Sequence, residues 1–330
     1  PKNDGAFRPI GLLPFAAKIW MKARREIGLE WERQQARPYL YAGERKGADI
    51  AAWSQAARAE MAAMGRWKAG YAQALLDLVK AFERVPYWLL VQEAREMGYP
   101  LWMLRLSIAT YQLPRTLRVG KVCSGLLVAF RGITAGSGLA TTEMRLIMLR
   151  KVERALTLHR TVAPTLLVDD LSAECTGPDR VILSELVPFI NAVAKDIEDD
   201  GMELSRKTCV CTANSDELGV KLAEQWEHYG ISYERCVKSL GVGLGAGVRR
   251  NAKVMKDRLS KFVKRIPLFR RLKKAKVDPA KIIRTGGKAA IVYGQAVLGL
   301  ALIHICRCRR LLTCRSRGAP YHEKKEGGGG

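Results

Sequence analysis

Thr165-Leu166-Leu167-Val168-Asp169-Asp170-Leu171-Ser172-Ala173 sets two adjacent carboxylates inside an apolar run that otherwise reads as a buried strand hairpin. Two like charges held side by side and partly desolvated repel each other and lose hydration, so one takes up a proton or both face a cation. A bound metal is the simplest cation to supply. The alternative is a tight surface turn, because Asp is common in turns and tolerates the left-handed conformation. For an isolated Asp-Asp the turn is the better reading, since so short a motif carries little weight alone.

The chain around it has 330 residues, 48% of them hydrophobic, enough for a substantial core and two or three subdomains. Lys and Arg total 56 against 32 Asp and Glu, a net charge of +24 with a pI near 9.9. That excess implies a polyanionic partner, bound with a salt-dependent, sequence-insensitive affinity as counterions are released. A membrane surface is the competing polyanion. There is no apolar run of about eighteen residues and no signal-peptide pattern, so the expectation is an intracellular protein, nuclear or cytoplasmic, with no membrane partner. The first residue is Pro1, which reads as a fragment of a longer chain. Eight cysteines form no repeated Cys-x-x-Cys pair, and their spacing suits reduced thiols better than disulfides or zinc.

Read in order, residues 1–10 form a turn-rich hairpin carrying Lys2 and Arg8, and residues 15–31 show helical periodicity. An Ala-rich helix is expected over 48–64, ended by Gly65 and Gly70, and then an apolar strand over 71–79 with Asp77 inside it. Helices are expected over 86–97, capped by Gly98, and over 101–111; two strands, 116–119 and 122–130, turn at Gly120-Lys121. The glycine-rich loop 132–138 opens a helix over 139–158, where free N–H groups suit an anion or merely a cap at Ser137. After the Asp169-Asp170 hairpin come a helix over 184–197 ended by Gly201, a short strand at 202–204 with Lys207 beyond, and a strand over 237–244 bounded by glycines. Residues 249–276 hold thirteen Lys or Arg and one acid, Asp257, on an amphipathic pattern broken at Pro267, a shape suited to a nucleic-acid backbone. Residues 303–330 match nothing before them and resemble translated sequencing-adaptor read-through, an artefactual and disordered tail.

Asp77 and Asp169 are 92 positions apart, each on an apolar strand, so a common sheet would bring three carboxylates to one edge. Such an edge suits two Mg²⁺ ions about 4 Å apart, which activate an attacking oxygen and stabilise leaving pyrophosphate. Mg²⁺ takes a few carboxylates plus substrate phosphates, and Mn²⁺ would substitute.

The order of the motifs over residues 2–244 resembles the reverse transcriptase domain of non-LTR retrotransposons. Arg8-Pro9-Ile10 is similar to the fingers motif whose basic residue, with Lys2, meets the incoming triphosphate. The run from Asp77 to Pro86 resembles the first palm motif: Asp77 holds metal, and Phe82 falls where a bulky aromatic excludes a ribose 2′-OH. Residues 132–138, with Ala135 and Gly136, resemble the loop that packs on the nascent base pair and template. Val168-Asp169-Asp170 resembles the hairpin carrying the remaining catalytic carboxylates, Lys207 the residue that protonates pyrophosphate, and Leu240-Gly241 the primer grip. The chain departs from the pattern at Ala135, where the family has Gln, at Leu167, where it has Tyr, and at Glu83, where it has Asp.

The resemblance implies an α+β right-hand polymerase with an antiparallel palm sheet flanked by helices. Fingers would occupy 1–70, the palm 71–244 with a fingers insertion at 87–130, and a basic helical thumb 245–302. It implies RNA-directed DNA synthesis on an RNA template from a DNA primer and deoxynucleoside triphosphates, with Asp77, Asp169 and Asp170 holding two Mg²⁺. The alternatives are an RNA-dependent RNA polymerase, against which Phe82 argues, and an inactive relic that only binds nucleic acid.

Overall fold

The computed structural model describes residues 11–44, 46–64, 70–134, 136–246 and 251–298. Lys2, Arg8, Ala135 and the tail 303–330 lie outside the described residues. Helices α1 (Phe15–Ala23), α2 (Arg25–Gln34) and α3 (Ala48–Met64) precede β1 (Gly70–Leu76). Then come α4 (Ala81–Arg84), α5 (Tyr87–Glu96), α6 (Leu101–Tyr111), a short hairpin β2 (Arg118–Val119) and β3 (Val122–Cys123), and α7 (Ala140–Leu158). Strands β4 (Ala163–Leu167) and β5 (Asp170–Gly177), α8 (Asp179–Asp199), β6 (Val210–Ala213), α9 (Asp216–Gln225), β7 (Ser232–Tyr233), β8 (Val237–Ser239) and β9 (Val242–Leu244) follow. The basic segment forms α10 (Lys253–Val263) and α11 (Ile266–Lys274), and the chain continues through α12 (Ala280–Ile282), a π-helical turn at Ile283–Gly287, α13 (Lys288–Val292) and α14 (Gln295–Leu298).

Five strands form one sheet in the order β4-β5-β1-β6-β7. All its pairings are antiparallel except β6 with β7, which is parallel, so the sheet is mixed rather than antiparallel as expected. Alternation gives the sheet two different faces. Ala72, Ala74, Leu76, Leu171, Ala173 and Cys175 join α7 and α8 in the main core. Helix α8 turns Ile182, Leu186, Phe189, Ile190, Val193 and Ile197 inward at helical spacing. The opposite face carries Tyr71, Gln73, Ser172 and Glu174, and α3 covers it with an Ala-rich side that permits close approach. A second, smaller core joins Ala52 and Ala56 of α3 to Val237, Val242, Leu244 and Val297.

Several boundaries shift for identifiable reasons. The 15–31 periodicity is broken at Arg24 into α1 and α2, and it extends to Gln34. Helix α8 starts five residues before the expected Ser184, because Pro178 holds the extended N-cap and Asp179 suits the positive end of the helix dipole. The strand expected over 202–204 is a single bridge from Leu204 to Leu78, and the 237–244 strand is a hairpin, β8 with β9. Strand β1 ends at Leu76, so Asp77 follows the strand instead of lying inside it. The expected 116–130 hairpin keeps its turn but pairs only Arg118 with Cys123 and Val119 with Val122, plus one bridge from Arg115 to Leu127. Cys175, Cys209 and Cys211 are buried free thiols, while Cys123 is an exposed one.

Candidate active site

The β4-β5 hairpin closes through two residues, Val168 and Asp169, with Leu167 paired to Asp170. Val168 has φ 61°, a left-handed conformation that glycine adopts freely and a β-branched residue resists. Strained backbone of this kind persists only where its surroundings over-determine it, and it concentrates at functional sites. Strands β1 and β5 pair from Gly70 with Gly177 to Leu76 with Leu171. Carried one residue further, that register sets Asp77 opposite Asp170, with both side chains on the Gln73 and Glu174 face.

Asp77 is fixed by the segment that follows α8. Thr208 Oγ1 donates to Asp77 Oδ2 at 2.6 Å, Ser205 N donates to Asp77 O at 2.8 Å, and Val79 N donates to Glu203 O at 2.8 Å. The turn bearing Lys207 therefore lies beside Asp77, and Lys207 itself is exposed. The Asp170 carboxyl is pushed up to about 6, by burial of the carboxyl first and then by the Asp169 and Asp77 charges. The donors are hard oxygens, which suit Mg²⁺ or Mn²⁺. Among the described residues, no group of three or more His, Cys, Asp and Glu side chains is arranged as a metal-holding set.

Phe82 and the glycine-rich loop meet. Lys80, at φ 51°, turns the chain into α4, and Phe82 there is half-buried against the main core. Ile133 N donates to Phe82 O at 2.7 Å and Gly132 N to Val85 O at 2.8 Å. Gly132 has φ 98°, and a Cβ there would lie 2.7 Å from Glu83 O, so no other residue fits this contact. Gly136 packs closely on Gly11 O, which puts the loop against the N-terminal segment. Ser137 Oγ accepts from Leu139 N at 3.1 Å just ahead of α7, whose N-cap is Leu139 and carries no side-chain cap bond.

Leu240 and Gly241 form the two-residue turn between β8 and β9, with φ 47° and 80°. The turn belongs to a separate small sheet, and Gln55 of α3 links that sheet to β5 through Ser239 and Ser172. Thr208, Gln55, Arg58, Arg258 and Tyr293 are the polar groups around the site that sequence reading did not single out. Gln55 and Arg58 carried one usable signal, as polar residues three apart on an Ala-rich helix.

No family model and no curated protein matches the sequence. Solved structures do. The chain is similar to apo telomerase from Candida tropicalis, with a TM-score of 0.50 and 8% identity over 72% of this chain and 41% of that one. It is also similar to telomerase from Candida tropicalis in complex with a TWJ fragment of telomeric RNA, with a TM-score of 0.50 and 8% identity over 76% and 42%. The chain thus spans about two fifths of the length of these telomerases. At such identity the likeness shows the fold alone, one this chain shares with part of these telomerases.

Proposed function

We propose that this chain is an RNA-directed DNA polymerase of the non-LTR retrotransposon type, extending a primer 3′-OH with deoxynucleotides on an RNA template. The observation that carries the reading is the β1-β5 register, paired as far as Leu76 with Leu171, whose continuation by one residue brings Asp77 opposite Asp170 at one end of the sheet, with Asp169 in the adjoining turn. Asp77, Asp169 and Asp170 would hold two Mg²⁺, or Mn²⁺. Bound there, the ions would supply charge neutralisation for the attacking oxygen and the leaving pyrophosphate. Thr208 orients Asp77, and Lys207 gives a proton to pyrophosphate. Phe82, set by the Gly132–Ile133 contacts, excludes a 2′-OH, and Ala135 and Gly136 lie in the loop beside the nascent pair. Lys2 and Arg8 meet the triphosphate, and Leu240-Gly241 the primer end. In this reading α1–α3 belong to fingers, the five-stranded sheet is the palm, and α10 with α11 form a thumb that follows the duplex backbone. No helix among the described residues is long and apolar enough to cross a membrane.

Primer extension on an RNA template with Mg²⁺ tests this. The chain is expected to extend with deoxynucleotides, and the Asp169→Asn, Asp170→Asn variant is not. Steady extension by that double variant would sink the assignment. A second reading is an inactive relic that only binds nucleic acid, motivated by Ala135 and Leu167, where the sequence departs from the pattern it resembles. It requires salt-sensitive RNA binding without extension. An RNA polymerase would prefer ribonucleotides, and Phe82→Ala with unchanged ribonucleotide exclusion would remove Phe82 from its role.

A further inference from the structure

Strand β5 begins at Asp170, and Ser172, two residues on, leaves the same face of the sheet. Gln55 Nε2 donates to Ser172 Oγ at 2.5 Å, and Ser239 Oγ donates to Gln55 Oε1 at 3.1 Å. Gln55 is 1% exposed, so one buried amide ties the strand bearing Asp170 to the last residue of β8. The turn that follows Ser239 is held from its other side. Tyr293 Oη donates to Leu240 O at 2.8 Å, Arg258 Nη2 donates to Gly241 O, and Arg258 Nη1 donates to Tyr293 O at 3.1 Å. The Arg258 guanidinium lies over the Tyr293 ring, 5.0 Å from its centroid. Both carbonyls of the turn are therefore taken, one by Arg258 of the basic segment and one by Tyr293 beyond it. A Cβ on Gly241 would lie 2.9 Å from both Arg258 Nη2 and Tyr293 Cε1, so the clamp closes only on glycine. Leu240, at φ 47°, adopts a conformation a branched side chain resists, and these bonds are what hold it.

We infer that Gln55 and the Arg258–Tyr293 pair are positioning residues, which together fix the Leu240-Gly241 turn relative to the strand that carries Asp170. Neither group touches reacting atoms. Gln55 sets the spacing on the sheet side, and Arg258 with Tyr293 ties the turn to α10, the helix whose cations face the nucleic-acid backbone. The inference rests on the polymerase reading insofar as the turn contacts the primer end. A primer terminus bound at that turn is presented to the carboxylate hairpin only when both attachments are made.

The test uses the full chain and three mild variants: Tyr293→Phe, which keeps the ring under Arg258, Gln55→Leu, which keeps volume, and Ser239→Ala. Backbone amide exchange across residues 237–244, without nucleic acid or metal, is expected to rise about tenfold in Tyr293→Phe and in Gln55→Leu while β1 stays protected. In primer extension, KM for the primer–template duplex is expected to rise about tenfold in the same variants, with the nucleotide KM unchanged. Unchanged exchange in all three variants overturns the clamp. Raised exchange with an unmoved primer KM overturns the positioning role. Raised exchange in a chain whose wild type extends no primer upholds the clamp and overturns the polymerase reading alone.

Discussion

Thr208 donates its hydroxyl to Asp77 Oδ2 at 2.6 Å across 131 positions of sequence. The Ser205 hydroxyl lies 2.5 Å from the same Thr208 oxygen. One hydroxyl has one proton, so Thr208 gives its proton to the carboxylate and accepts from Ser205. The pair holds Asp77 in one rotamer at the end of β1. Thr208→Val keeps the shape and removes the bond. We expect kcat for primer extension to fall about tenfold, roughly 1.4 kcal/mol of barrier, with a much smaller change in Tm. Thr208→Ser restores the rate. A Thr208→Val enzyme with wild-type kcat would show that Asp77 needs no such holder.

The Val168 turn gives a sign that ordinary strand chemistry does not. At most strand and turn positions Ala is more stabilising than Gly by about 0.5–1 kcal/mol, because Gly loses more backbone entropy on folding. At φ 61° the order inverts, since Ala keeps the Cβ clash and Gly has none. Val168→Gly is expected to be more stable than Val168→Ala by about 1 kcal/mol, read as the difference in denaturation midpoints. The reverse order would mean that the hairpin relaxes out of the left-handed conformation.

The sequence showed some of this architecture plainly and hid the rest for physical reasons. Helices α3 and α6 begin and end where the periodicity and the flanking Pro and Gly place them, at Ala48–Met64 and Leu101–Tyr111. The carboxylate hairpin was legible because apolar runs flank a two-residue turn. The β8-β9 hairpin was not. Its turn is Leu240-Gly241 inside Val-Lys-Ser-Leu-Gly-Val-Gly-Leu, with no Asn-Gly or Asp-Gly to mark a reversal. Gln55 reads as one polar residue on an Ala-rich helix, and only its meeting with Ser172, 117 positions away, reveals a purpose. Asp77 follows the strand because the chain turns at once to pair Leu78 with Leu204, a long-range bridge that no local pattern encodes.

Glu143, on α7 behind the glycine-rich loop, gives a pH dependence. It is fully buried and accepts from Tyr111 Oη at 2.6 Å. Burial pushes its carboxyl up to about 7, and the Tyr111 hydrogen bond opposes the rise only in part. The folded value lies above the unfolded one, so the fold favours the protonated acid. The associated stability is fully present below the unfolded value near 4.5, is lost as pH rises towards 7, and stays lost above it. Glu143→Gln keeps an acceptor for Tyr111 and has no proton to lose. It is expected to raise stability at pH 8 by up to about 3 kcal/mol and to change it little at pH 4. Equal differences at the two pH values would mean that the Glu143 carboxyl titrates alike in the folded and unfolded chains.

Arg58 and Glu174 form the buried charge pair on the α3 face of the sheet. Glu174 is 3% exposed; it pairs with Arg58 and accepts from Tyr71 Oη at 2.7 Å, while Arg58 Nη2 also donates to Thr165 Oγ1 at 3.0 Å. Replacing such a pair by uncharged groups of similar volume is often nearly neutral, whereas removing one partner strands a buried charge at about 3–5 kcal/mol. Arg58→Met alone is therefore expected to destabilise by about 3 kcal/mol, a little below the buried limit because Arg58 keeps 30% of its side chain exposed. Adding Glu174→Gln removes the stranded charge and keeps an acceptor for Tyr71, so the double variant should recover most of that loss. The coupling, read from denaturant midpoints of the four proteins, is expected at about 2 kcal/mol. Additive single effects would mean that solvent reaches Glu174 once Arg58 is gone, and that α3 is held on the sheet by its alanine packing and by Gln55 instead of by this pair.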